Sequence, residues 1–190
     1  LKKISYLIII MILAAVGYSC QSKSPLTAAA CSELIMLALP GTTITLAEEF
    51  DAGRFDPPGD GTVENPANRV QYPAQAGFEG LGPICRVAAT LTPSSDSDIK
   101  IEVWLPVEGW NGNYQPAGNG GWGGTINFGR MAAILSDGYA TSSTDTGHEG
   151  FTGEFMIGHP EKLTDFSYRA FHGMIETAKA VIASYYGEGP

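Results

Sequence analysis

Five glycines in seven residues, Gly118-Asn119-Gly120-Gly121-Trp122-Gly123-Gly124, make up the stretch of this sequence best suited to chemistry. Backbone amides with so few side chains around them can approach a developing negative oxygen, which is what an oxyanion hole requires. A phosphate cradle needs similar geometry, but no Gly-Lys-Ser/Thr is present and the next basic residue is Arg130. A plain flexible turn would have the same composition. Downstream, Ser142, Ser143, Asp145 and His148 supply the residue types of a hydrolytic triad. A triad needs each side chain aimed at the next, and residues this close on one loop rarely achieve that. Asp145, His148, Glu149 and His159 are metal-ligand types without tight ligand spacing, so no metal site is expected. His172 reads as a structural histidine on a helix. No Gly-x-Ser-x-Gly elbow occurs, so the sequence names no nucleophile.

The cysteines depend on the compartment. Lys2 and Lys3 precede an apolar run of thirteen residues, Ile4 to Val16, in which Ser5 is the one small polar residue. That is an export-signal pattern, too short for the roughly 20 residues that span a bilayer. Gly17-Tyr18-Ser19-Cys20 resembles a bacterial lipobox, with Gly17 where Leu is usual. On that reading Cys20 carries lipid and attaches the chain to a membrane of the cell envelope; plain secretion with cleavage nearby is the alternative. Residues 1–20 are then a signal, 21–30 a linker and 31–190 the folded part. Export permits disulfides. With Cys20 lipidated, Cys31 and Cys85 remain, and a bridge between them is expected. Two free buried thiols would be the other outcome.

Composition narrows the class further. The chain has 190 residues, 44% apolar, enough for one ordinary globular core and too many for a disordered chain. A net charge of -9, with eleven scattered basic residues, argues against a nucleic-acid partner.

The elements that must position the glycine segment can be read in outline. Cys31 to Leu39 suits a short helix stopped at Pro40-Gly41, and Thr42 to Leu46 a strand. Residues 51–83, rich in Gly, Pro, Asn and Asp, show no period and read as one long loop spanned by the expected bridge. Ile84 to Leu91 is a strand. Asp98 to Pro106 alternates, with Ile99, Ile101, Val103 and Leu105 opposite Lys100, Glu102 and Trp104, which predicts a half-exposed strand antiparallel to its neighbour. Trp110 to Asn113 is a turn, and a strand starting at Tyr114 runs into the glycine segment. Met131 to Ser136 is a helical turn or two. Tyr139 to Ser143 is a strand buried on both faces, and Asp145 to His148 leaves its carboxyl end. Phe171, Met174, Ile175, Ala178, Val181, Ile182 and Tyr185 form the stripe of a long helix that starts near Asp165 and ends at Gly187, capped by Thr164 or Asp165; Pro190 could not continue it. Asp165 and Arg169 are spaced to pair on it. Antiparallel strands followed by alternating strand and helix predict an α/β sheet with an antiparallel edge, and the last helix should feed a further parallel strand.

Several motifs in one order carry a resemblance. Ile101-Glu102-Val103-Trp104-Leu105-Pro106 with Trp110-Asn111-Gly112, Gly118-Asn119-Gly120-Gly121, Gly138-Tyr139-Ala140 and Ser143-Thr144-Asp145-Thr146-Gly147-His148 resemble the tannase and feruloyl esterase family. Asp165-Phe166-x-Tyr168-Arg169-Ala170 and Tyr185-Tyr186-Gly187 continue the likeness, which covers residues 31–190. Cys31-x-x-Leu34 and Pro83-x-Cys85-Arg86-Val87 are similar to the family's N-terminal disulfide pair. The resemblance implies part of an α/β-hydrolase sheet, ending before the nucleophile strand. It implies serine-type hydrolysis of aromatic esters, such as galloyl esters of plant polyphenols or feruloyl esters of cell-wall polysaccharide. It assigns the family's oxyanion loop to Gly118–Gly121, with the amides of Gly120 and Gly121 as donors. In the family the serine lies on the strand after this helix; the other triad members and a lid that often binds calcium come later. The whole catalytic triad is therefore expected after Pro190, and no triad residue or cofactor within residues 1–190. By itself such a chain should be inactive. A surface glycan-binding or degenerate, non-catalytic lipoprotein is the rival reading.

Overall fold

A computed structural model describes residues 28–56, 62–65, 70–73 and 78–190. The expected signal, linker start and Cys20 lie outside these residues. Five strands form one mixed sheet in the order β1 (Thr42–Phe50), β4 (Ile84–Leu91), β5 (Ile99–Pro106), β7 (Ala140–Thr144), β6 (Tyr114–Pro116). The first three contacts along it are antiparallel, and only β6 and β7 run parallel. A separate two-stranded sheet, β2 (Thr62–Asn65) with β3 (Val70–Pro73), sits within the stretch expected to be an unbroken loop.

Two apolar cores cover the two faces. Ile99, Ile101, Val103 and Leu105 of β5 pack with Val87, Ala89 and Leu91 of β4 against Met174, Ala178, Val181 and Ile182 of helix α3 (Ala170–Tyr186). On the opposite face Trp104 and Ile84 meet Phe55, Phe78 and Leu81, together with Met131, Ile134 and Leu135 of helix α1 (Phe128–Ser136). The sheet is therefore sandwiched between helices, the α/β arrangement expected from the element order.

That second core corrects the expectation of a half-exposed β5. Trp104 is 0% exposed and Glu102 3%. The carboxylate is tolerated because Arg86 grips it twice, Nε to Oε2 at 2.9 Å and Nη2 to Oε1 at 2.5 Å, while Trp104 Nε1 adds a donor at 3.2 Å. Buried charge survives only with such partners.

The Cys31–Cys85 bridge is formed, with Cα atoms 5.7 Å apart and 54 residues of separation. It ties a 3-10 turn, Cys31–Met36, to β4. The long helix also differs from expectation at its start. It begins at Pro160 as α2 (Pro160–Thr164), passes through a π-helical turn, Asp165–Arg169, and continues as α3. Neither Thr164 nor Asp165 caps it. Proline at the first helical position removes one amide that would need a cap. Asp165, fully buried, pairs with Arg169 as its spacing predicts, Nε to Oδ1 at 2.5 Å. Gly187, at φ +77°, ends the helix, and the residues from Glu188 to Pro190 follow it exposed and outside any helix or strand.

Candidate functional site

β6 and β7 end side by side, at Pro116 and Thr144, because they are parallel and in register from Tyr114–Ala140 to Pro116–Ser142. Ala117 N extends the ladder by donating to Ser142 O at 2.7 Å. Both connecting segments, the glycine stretch after β6 and residues 145–150 after β7, therefore leave the same edge of the sheet. Ligands in open α/β sheets gather at such carboxyl edges.

The two segments are bonded to each other along their length. Asn119 Nδ2 donates to Thr144 O at 2.7 Å. Thr146 Oγ1 reaches Gly123 O at 3.3 Å, and His148 Nε2 reaches Trp122 O at 3.0 Å. Gly124 and Gly150 exchange two backbone bonds, 2.7 and 3.3 Å. Inside the glycine stretch, Gly123 N closes a tight turn onto Gly120 O at 3.0 Å, with Gly121 at φ +57° in the left-handed region that favours glycine. Gly124 is held by contact rather than by φ: a Cβ there would lie 2.5 Å from His148 O and 2.6 Å from its ring.

Between Ala117 and Gly123 the backbone amides, those of Gly120 and Gly121 among them, have no hydrogen-bond acceptor among the described residues. Neither of these two glycines is buried. A Cβ on Gly120 would meet nothing within 4 Å, so no packing contact demands glycine there. Two unpaired amides, on a turn pinned on either side, are what an incoming oxyanion would need.

Ser142, Ser143, Asp145 and His148 are brought together in chain order but not into a triad. Ser142 Oγ bonds Tyr114 Oη at 2.6 Å, and Ser143 Oγ accepts from Asn127 N at 3.0 Å. Asp145 Oδ1 accepts from both Lys100 N, 2.9 Å, and Gly147 N, 2.8 Å. Burial pushes the Asp145 carboxyl up to about 6 despite those two amides and Lys100; nearby Asp98 adds to the rise. Burial likewise raises Tyr114 to about 12, against the Ser142 hydrogen bond. These groups build the floor beside the turn. Among the described residues Thr146, at φ +60°, is the one non-glycine residue in the left-handed region, and its hydroxyl lies within hydrogen-bond reach of Asp145 O, Gly123 O and His148 Nδ1. Pro190, after which the triad is expected, is exposed beyond the end of α3.

His159 is exposed and bonds Asp96 at 3.0 Å, away from Asp145, and Glu149 is exposed. Among the described residues no three His, Cys, Asp or Glu side chains gather as metal ligands. His172, expected to be structural, is exposed on α3 beside a groove that Arg169 and Leu91 also line.

Sequence reasoning missed the aromatic group under the turn. Trp122, 43% exposed, stacks on Phe166 at 5.0 Å, and the His148 ring stacks on Phe155 at 3.7 Å. Phe155 and Phe166 are in contact as well, 5.6 Å between centroids. Phe166 lies on the π-helical turn, so this group also fastens the long helix to the glycine segment.

Comparison with known proteins converges on one family. The sequence model described as tannase and feruloyl esterase matches residues 85–190. An uncharacterized esterase of Xanthomonas campestris pv. campestris is 37% identical over 185 residues, 96% of this chain and 29% of that protein. A probable feruloyl esterase B-2 of Aspergillus terreus is 38% identical over 106 residues, 56% of this chain and 20% of that protein. Among solved structures, feruloyl esterase B from Aspergillus oryzae superposes with a TM-score of 0.68 at 28% identity, over 84% of this chain and 29% of that one. Tannin acyl hydrolase from Aspergillus niger, at 19% identity and a TM-score of 0.51, shares the fold. The chain spans less than a third of the length of each of these relatives.

Proposed function

Because this chain belongs to the tannase and feruloyl esterase family, we propose that it supplies the oxyanion-stabilising side of a serine-type carboxylic ester hydrolase for aromatic esters. One observation carries the reading: the unpaired amides of Gly120 and Gly121 stand on a pinned turn at the carboxyl ends of two adjacent parallel strands. When a hydroxyl attacks an ester carbonyl, the carbonyl oxygen gains negative charge. Fixed N–H dipoles near that oxygen lower the barrier, typically by several kcal/mol for a full set of donors. Gly120 and Gly121 are the donors assigned here.

The nucleophile belongs to a part of the enzyme outside this chain, after Pro190. Among the described residues β6 pairs on one side only, with β7. A parallel strand following α3 would add at that edge and place its carboxyl end next to Gly120. The serine of the family's elbow would enter there, and the amide after it would be a further donor. In this scheme residues 28–190 alone hydrolyse nothing, since the attacking serine comes with the following strand.

Substrates follow from the family: esters of gallic, ferulic or related aromatic acids, on polyphenols or wall polysaccharide. The test is hydrolysis of methyl gallate, methyl ferulate and p-nitrophenyl acetate by the enzyme that contains this chain together with its nucleophile strand. Turnover with preference for methyl gallate or methyl ferulate, the two esters of aromatic acids, over p-nitrophenyl acetate is the expected result. No turnover on any of the three would refute the reading and favour a glycan-binding or degenerate lipoprotein. Export and lipid attachment at Cys20 are part of the proposal. Mass spectrometry of the mature N-terminus should find a diacylated Cys20, and an unmodified terminus elsewhere would reject it.

A further inference from the structure

We infer that His148 is a positioning residue for the oxyanion turn, an inference that rests on the hydrolase reading above. Its ring is buried, 7% exposed, and stacks on Phe155. The Nε2 atom lies 3.0 Å from Trp122 O, and Nδ1 lies 3.3 Å from Thr146 Oγ1. A carbonyl oxygen can only accept, so Nε2 carries the proton and donates to Trp122. Nδ1 then remains an acceptor in the neutral ring, or a second donor to the Thr146 hydroxyl in the charged one; the bond to Trp122 survives in both.

That one bond matters because of the peptide it reaches. The Trp122 carbonyl and the Gly123 amide belong to the same planar unit. Its N–H closes the turn onto Gly120 O at 3.0 Å, and its C=O is held by His148. The unit is thereby fixed at both ends. Gly120 and Gly121, which make no amide bonds of their own among the described residues, take their orientation from it. The fit is close: Gly124 has no room for a Cβ because the His148 carbonyl and ring occupy that space. Without the imidazole donor the Trp122–Gly123 peptide can tip and carry the two free amides out of line with the developing charge. His148 touches no substrate in this account and transfers no proton.

The test pairs two substitutions of equal length in the active enzyme containing this chain. His148→Gln retains an N–H donor that can reach Trp122 O, and His148→Met does not. Both lose the ring, so thermal unfolding should shift alike in the two. Loss of one oxyanion donor typically lowers turnover by about 10²–10³, and misalignment of the pair is expected to give about 10- to 100-fold in kcat for His148→Met. KM on methyl ferulate should stay within about threefold, because the donors act on the transition state. His148→Gln should recover most of the lost kcat. If His148→Met fails to fold, His148→Phe, which keeps the stack on Phe155 without a donor, takes its place in the comparison. Equal kcat in donor and non-donor variants, or a loss confined to KM, would overturn the inference. An inactive wild type would instead strike at the hydrolase reading on which it stands.

Discussion

Asparagine at position 145 would keep the oxygen that Lys100 N and Gly147 N share and remove a buried charge. Burial lifts the Asp145 carboxyl from its ordinary 3.8 to about 6. Its folded value lies above its unfolded one, so between those pH values the native chain holds a proton that the unfolded chain has released. The stabilisation is present below 3.8 and is lost as pH rises through 6. A rise of that size corresponds to about 3 kcal/mol, an upper figure given the two amides that still favour the anion. Above pH 6 the native floor therefore carries a charge it would be more stable without. The measurement is urea unfolding of wild type and Asp145→Asn across pH 4 to 8. The stability of the variant relative to wild type should rise by about 2–3 kcal/mol between pH 4 and 7, most of it in the window between the two pKa values. Taking the difference cancels every other titrating group to first order. Parallel stability curves, or a variant that loses ground with rising pH, would show that the carboxyl is ionised at no cost and that the account of its burial is wrong.

Three further sets of substitutions test the scaffold. Gly124→Ala puts a methyl 2.5 Å from His148 O, and should cost about 1–3 kcal/mol while loosening the glycine turn, read by denaturant unfolding and by amide exchange at residues 120–124. Cys31→Ser with Cys85→Ser opens a bridge across 54 residues and should lower stability by roughly 4 kcal/mol in the chain-entropy model, matched by adding reductant to the wild type. Arg86→Met leaves Glu102 buried with only Trp104 Nε1 as donor and should cost about 3–5 kcal/mol, whereas Arg86→Met with Glu102→Leu should recover much of it.

How far the sequence could be read depended on the range of the interaction concerned. β4, β6 and β7 were legible because local pattern and turn residues agree, as at Asn111, whose Oδ1 accepts from Asn113 N at 2.9 Å just before β6. β5 was misjudged on one face. Lys100 and Glu102 read as a solvent side, and only the β4–β5 register, which sets Arg86 opposite Trp104, supplies the partner that lets Glu102 be buried. The hairpin β2–β3 was missed because Thr62-Val63-Glu64-Asn65 and Val70-Gln71-Tyr72-Pro73 are short, and Pro73 demotes a strand pattern. The helix starts before its apolar stripe does. Pro160 marks the start, and the periodic stripe begins only after the π-helical turn has shifted the phase.

The site itself divides in the same way. A glycine-rich segment and an Asp-Thr-Gly-His segment were visible separately. Their mutual bonding was not, since His148 meets Trp122 across 26 residues. Nothing in local spacing predicts that contact. It follows from the parallel pairing of β6 with β7, which brings both loops to one edge.

The most direct measurement is a crystal structure of the active enzyme containing this chain after its nucleophile has reacted with an aryl phosphonate, whose phosphoryl oxygen imitates the oxyanion. That oxygen is expected about 3 Å from the amides of both Gly120 and Gly121, with His148 still bonded to Trp122 O. An oxygen held by other donors, with those two amides left unbound, would contradict it.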